Sequence, residues 1–198
     1  MTDAQQFELN EGDQIILLID VSASMQINDA PNNAKRIDSI KEAATALARS
    51  AEKFDKDGID ILTFGEKVTA YEGVSGDKID SIIGGLKANE STTRTHLAIQ
   101  EAYKIHKKKA SKQTICLIVT DGVPESETAV YDAVRSIASE LQDEHEFAIC
   151  FLQIGQDTAA ANFLVNIDDN LNAKYDIVDC QKLAETTLEQ AVMGALHD

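Results

Sequence analysis

Three short stretches carry side chains whose types and spacing could do chemistry. Asp20, Ser22 and Ser24 stand at alternate positions directly after the apolar run 15–19. A second apolar run, 115–119, ends in Thr120 and Asp121, and the polar stretch 89–96 offers Thr92, Thr93 and Thr95. Every donor in this set is oxygen: two carboxylates, two serine hydroxyls and a choice of threonine hydroxyls. Hard, compact donors of this kind suit magnesium, manganese or calcium and argue against zinc or copper. In an extended turn side chains two apart face the same way, so Ser22 and Ser24 can converge on one ion. The plainer alternative is that Asp20 and Ser22 form Asx and serine turns and that Asp121-Gly122 is an ordinary turn.

The elements that must position these residues follow from the hydrophobic pattern. Segments 13–20 and 113–121 read as strands buried on both faces, each closed by an acid. Ile37, Ile40, Ala44, Leu47, Ala51 and Phe54, spaced 3, 4, 3, 4, 3, predict a long amphipathic helix. Strands are expected at 58–65 and 67–74, too close for a crossover helix and therefore antiparallel. Helices are expected over 77–86, 95–109, 126–142 and 158–166, strands over 147–155 and 175–179, and a final helix from about 181. This alternation predicts an α/β, Rossmann-like, doubly wound fold: a mostly parallel six-stranded sheet, one antiparallel edge strand, and helices on both faces. In such sheets ligands bind outside the carboxyl ends of the strands, where strand order reverses. Asp20, Asp121 and the 89–96 loop all fall on that rim.

Composition narrows the function classes. The 198 residues suit one domain, with a tail over 1–12 and the domain over 13–198. Lysine and arginine number 18 against 34 acids, a formal charge of −16. Such a field repels phosphate backbones and anionic lipid, so nucleic-acid and membrane roles are not expected. The basic cluster Lys107-Lys108-Lys109 reads as a solvated helix end. The acidic N-terminus lacks the features of a signal peptide. Cys116, Cys150 and Cys180 have neither disulfide nor metal-site cadence and read as buried free thiols. A cytoplasmic location and a monomer in the unbound state are expected. His106, His145 and His197 show no partner pattern, and His96 reads as solvated.

"DVSAS" after one apolar strand, a threonine opening a later helix, and "IVTDG" after another strand together resemble the metal-ion-dependent adhesion site of the von Willebrand factor type A domain family. The resemblance implies one divalent cation, magnesium first with manganese or calcium as alternatives. It places Asp20, Ser22 and Ser24 in the first loop, Thr95 in the second with Thr93 as the alternative, and Asp121 in the third. A glycine often precedes that threonine in the family, whereas "ESTTRT" stands here. The resemblance also implies that the ion takes an aspartate or glutamate from a partner protein. The segments "FLQIGQD" and "NAKYDIVD" look similar to small intracellular bacterial members associated with stress-response gene sets, which implies an adaptor or scaffold.

Two other functions compete. Asp20 could be a phosphoryl-accepting nucleophile with Asp121 and magnesium, as in haloacid-dehalogenase-like phosphatases. Those enzymes want a second acid two residues on, and that position is Ser22, which cannot serve as acid or base at neutral pH. Alternatively, the ion could only staple the loops. The polar 26–36 loop, well placed to flank a partner, weakens this last reading.

Overall fold

The structure is a computed structural model that describes residues 13–51, 57–109 and 113–182. Six strands, β1 (Gln14–Asp20), β2 (Ile59–Phe64), β3 (Val68–Val74), β4 (Thr114–Thr120), β5 (Phe147–Gln153) and β6 (Val178–Lys182), form one sheet in the order β3-β2-β1-β4-β5-β6. All neighbouring pairs are parallel except β2 with β3. Helices α1 (Arg36–Ala51), α2 (Asp77–Gly85), α3 (Thr95–Lys109), α4 (Glu127–Glu140) and α5 (Thr158–Asp169) connect them.

Strand alternation divides the core into two layers. Ile15, Leu17 and Ile19 of β1 pack with Ile37, Ile40 and Ala44 of α1 and with Ile79 and Ile83 of α2. Ile16 and Leu18 face the other way, against Ala98, Ile99 and Ala102 of α3 and Val130 and Val134 of α4. A strand covered on both sides needs an unbroken apolar run, which is why β1 and β4 show no polar alternation. β1 lies between β2 and β4, so strand order reverses there, and Asp20 and Asp121 leave adjacent strands at the same rim.

Two expectations change. β6 begins at Val178, three residues later than the pattern suggests. Ile177 accepts the Ile149 amide at 2.7 Å, and pairing runs on to Gln153 opposite Lys182. Residues 181 and 182 are thus strand, because the open edge of β5 offers hydrogen bonds that outweigh helical propensity. The expected last helix, from 183 onward, lies outside the described residues, as do the 1–12 tail and Phe54.

The lysine cluster also departs from a merely solvated helix end. Lys107 and Lys108 pair with Glu140 and Glu72 on the surface. Lys109, in contrast, reaches the fully buried Asp60 at 2.8 Å. Asp60 also accepts from Gln14 Nε2 and the Gly73 amide. Since Gln14 turns its nitrogen to Asp60, its oxygen accepts from the Thr114 hydroxyl, which in turn accepts from His106 Nδ1 at 2.8 Å. Burial lowers the His106 pKa, with Glu146 opposing that shift. A polar chain therefore spans the starts of β1, β2 and β4, opposite the candidate site.

Removing one partner of a buried pair strands the other charge. Lys109→Met should destabilise the protein by about 3 kcal/mol, whereas Lys107→Ala and Lys108→Ala should leave stability nearly unchanged, as expected for exposed ion pairs. Urea unfolding of the three variants checks the contrast.

Candidate metal centre

Backbone hydrogen bonds lace the three rim loops together. The Ala23 amide donates to the Glu90 carbonyl at 2.8 Å and the Glu90 amide donates to Val21, which joins the first loop to the second. The Glu125 amide donates to the Thr93 carbonyl at 2.9 Å and joins the second loop to the third. Thr95 is the first residue of α3 and is buried. The first loop continues as a tight 3-10 turn, Ala23–Gln26, anchored by the buried Met25.

Side chains meet across this frame. Ser22 Oγ lies 3.0 Å from Ser24 Oγ, and Ser24 Oγ donates to Asp121 Oδ1 at 3.0 Å. Asp20, wholly buried, accepts from the Ser22 amide at 2.8 Å and from the Thr120 hydroxyl at 2.7 Å. Asp20, Ser22, Ser24 and Asp121 thus form one connected group. No hydrogen bond among the described residues joins the Thr95 hydroxyl to it, although the laced loops hold Thr95 on the same rim. Ser24 is the half-exposed member, while Asp20, Ser22, Thr95 and Asp121 are buried, so the group opens to solvent on the Ser24 side.

Burial dominates the electrostatics of Asp20. It pushes the carboxyl up to about 6, against the lowering effect of the Ser22 and Thr120 hydrogen bonds and with a smaller push from Asp121. Two buried carboxylates beside three hydroxyls form an acidic pocket that a cation would relieve. The residues present fit a hard divalent ion: Ser22, Ser24 and Asp121 bring hydroxyl and carboxylate oxygens to hydrogen-bond spacing, and Asp20 is tied to them through the Ser22 amide. Among the described residues no group of three or more His, Cys, Asp or Glu is placed to hold a metal, so any ion here must rely on the hydroxyls.

Sequence reasoning overlooked the residues that surround this group. Arg36 opens α1 and is buried; its Nη1 donates to Asp121 Oδ2 at 2.7 Å. Its Nε and Nη2 grip both oxygens of Asp29 at 2.6 Å each. This holds the Asp29 carboxyl below its usual range, the Arg36 hydrogen bonds being the main cause. One signal was available: a cation at a helix N-terminus opposes the helix dipole and needs a strong local reason to sit there. His96, read as solvated, is half-buried in the first turn of α3, and among the described residues neither its buried Nδ1 nor the buried Thr92 Oγ1 of the preceding loop has a hydrogen-bond partner.

Comparison with known proteins agrees with this architecture. The von Willebrand factor type A domain family profile matches residues 15–123, more than half of the chain. The chain belongs to the von Willebrand factor type A domain family. No curated protein matches the sequence. Among solved structures, manganese-loaded TRAP protein of Plasmodium vivax is 17% identical with a TM-score of 0.62, covering 98% of this chain and 76% of that one. The PilB minor pilin of Streptococcus sanguinis is 9% identical with a TM-score of 0.68, and this chain spans 61% of its length. The vWF domain of the type V pili tip protein Mfa5 from Porphyromonas gingivalis is 11% identical with a TM-score of 0.60, and 98% of each chain is covered. Identities this low speak to the fold.

A buried acid with a raised pKa has a definite pH signature. The native state holds the Asp20 proton more tightly than the unfolded chain, so this stabilisation is full below pH ~4 and lost as pH rises through about 6. In chelator, the stability of Asp20→Asn relative to wild type should therefore rise by about 2 kcal/mol between pH 4 and pH 7. Paired urea unfolding curves check this; a difference that stays flat with pH would refute the unrelieved burial of Asp20.

Proposed function

We propose that this chain is a protein-binding module that works through a divalent ion. Ser22, Ser24 and Thr95 hold the ion with Asp20 and Asp121, and a partner protein supplies an aspartate or glutamate. The observation that carries this reading is the run Ser22 Oγ, Ser24 Oγ, Asp121 Oδ1, three oxygens in successive contact at the point where strand order reverses. When bound, the ion supplies an electrophilic position for a carboxylate oxygen. Magnesium suits a small site of hydroxyls and carboxylates that leaves room for water, with manganese next.

The chain's own residues divide the work in this reading. Asp20 anchors the first loop through the Ser22 amide and provides charge from behind. Ser22 and Ser24 are neutral donors, so an ion they hold keeps much of its charge and seeks an anion. Asp121 orients Ser24. Ile27 and Leu97, two of the three large apolar side chains exposed among the described residues, follow Ser24 and Thr95 within three positions. They offer apolar contact beside the acidic residue of a partner.

Phosphoryl transfer is the weaker reading. Both oxygens of Asp20 already accept hydrogen bonds and the residue is wholly buried, which leaves no attacking atom exposed. The position of a general acid is held by Ser22. On the same proposal the module serves as a cytoplasmic adaptor in a stress response, which its three free thiols suit.

Calorimetric titration of chelator-stripped protein with magnesium and manganese tests the reading. Wild type should bind, and Ser22→Ala should bind at least about tenfold more weakly, the loss of one direct hydroxyl donor. Equal binding by both would move the ion elsewhere. Partner capture by Ser22→Ala that is undiminished in chelator would dismiss a metal-dependent contact.

A further inference from the structure

Arg36 occupies a slot built for it by three separate segments. Its amide donates to the Ile27 carbonyl, and its guanidinium forks onto Asp29 in the first loop and reaches Asp121 after β4. The third wall is Gly155, after β5. A Cβ there would stand 2.6 to 2.8 Å from Nε, Cζ and Nη2 of the arginine. Gly155 also has φ +84°, a conformation that disfavours any other residue. Asp29 is held to the same segment, since it accepts a hydrogen bond from the Gln156 amide.

This geometry divides the Asp121 carboxylate. Oδ2 faces the guanidinium and Oδ1 faces Ser24. One oxygen is thus committed to a permanent cation, and the other is turned toward the hydroxyl group of donors. A carboxylate that shares its charge with a guanidinium attracts a second cation less strongly. The arginine also keeps the metal-free pocket assembled, because it compensates charge that would otherwise push the two acids apart.

We propose that Arg36 is the resident counter-charge of the site, which sets its ion affinity low so that stable ion retention depends on a further anion brought from outside. The inference rests on the metal-binding reading and adds a residue that tunes it. Asp29 acts in the opposite sense, drawing charge from the guanidinium and so limiting how strongly Arg36 opposes the ion. Binding free energies are reciprocal, so whatever factor an outside carboxylate adds to the ion's affinity, the ion adds to the carboxylate's.

The two charges predict effects of opposite sign, which a merely structural role does not. Manganese binding by chelator-stripped protein is read from loss of the free-ion electron paramagnetic resonance signal, for wild type, Arg36→Gln and Asp29→Asn. Far-ultraviolet circular dichroism confirms that each variant is folded. Arg36→Gln should bind manganese roughly tenfold more tightly than wild type, and Asp29→Asn severalfold more weakly. Binding by Arg36→Gln alone would support the inference most strongly. Weaker or unchanged binding by Arg36→Gln beside a wild type that binds would overturn it while the metal reading stands. No binding by folded wild type and folded Arg36→Gln would overturn both.

Discussion

The rim of this molecule depends on how one carboxylate is shared. Asp121 leaves the end of β4 with an oxygen on either side engaged, one by the Ser24 hydroxyl and one by the Arg36 guanidinium. Through Ser24 it fixes the first loop, and through Arg36 it fixes the start of α1 and the Asp29 segment. Because Arg36 also fills the space above Gly155, the end of β5 joins the same assembly. A single acid therefore coordinates loops that are 85 and 97 residues apart from it in sequence.

Such an assembly is possible because the sheet beneath it is rigid. β1 and β4 are covered by helices on both faces, and their backbone groups are satisfied by two parallel neighbours each. The chain has no freedom to turn polar until the strands end. At that point Asp20 and Asp121 emerge side by side, and each finds partners in the first residues beyond the sheet. The same arrangement concentrates charge where water is scarce, and so a buried acid such as Asp20 gives up its proton less readily than usual.

Much of this was legible in the sequence. The unbroken apolar runs identified β1 and β4, the short 65–67 gap gave the antiparallel β2–β3 pair, and spacings of three and four marked α1. Asp20, Ser22, Ser24 and Asp121 could be grouped because each lies at a strand end or one turn beyond it. Three features were hidden for physical reasons. β6 is a short edge strand with two acidic or amide side chains in its five residues, so its register is set by the open edge of β5 and carries no alternation of its own. Lys109 looks like its two neighbours in sequence, and only the position of Asp60 at the start of β2 separates a buried partner from a surface one. Arg36 and Gly155 form a pair through shape, and no local pattern announces a residue that is small to admit a distant guanidinium.

The polar chain at the opposite pole has a mechanical meaning for the rim. β1 is seven residues long, roughly 23 Å of extended backbone. At its start Gln14 is held by Asp60 and Thr114, and at its end Asp20 is held by Thr120 and the Ser22 amide. A slip of one residue along β2 or β4 would exchange its two apolar faces with little change in hydrophobicity, because both are made of isoleucine and leucine. Burial alone therefore sets its register weakly. The side-chain bonds at either tip act as end stops on a rod that could otherwise slide, and they fix how far Asp20 projects at the rim.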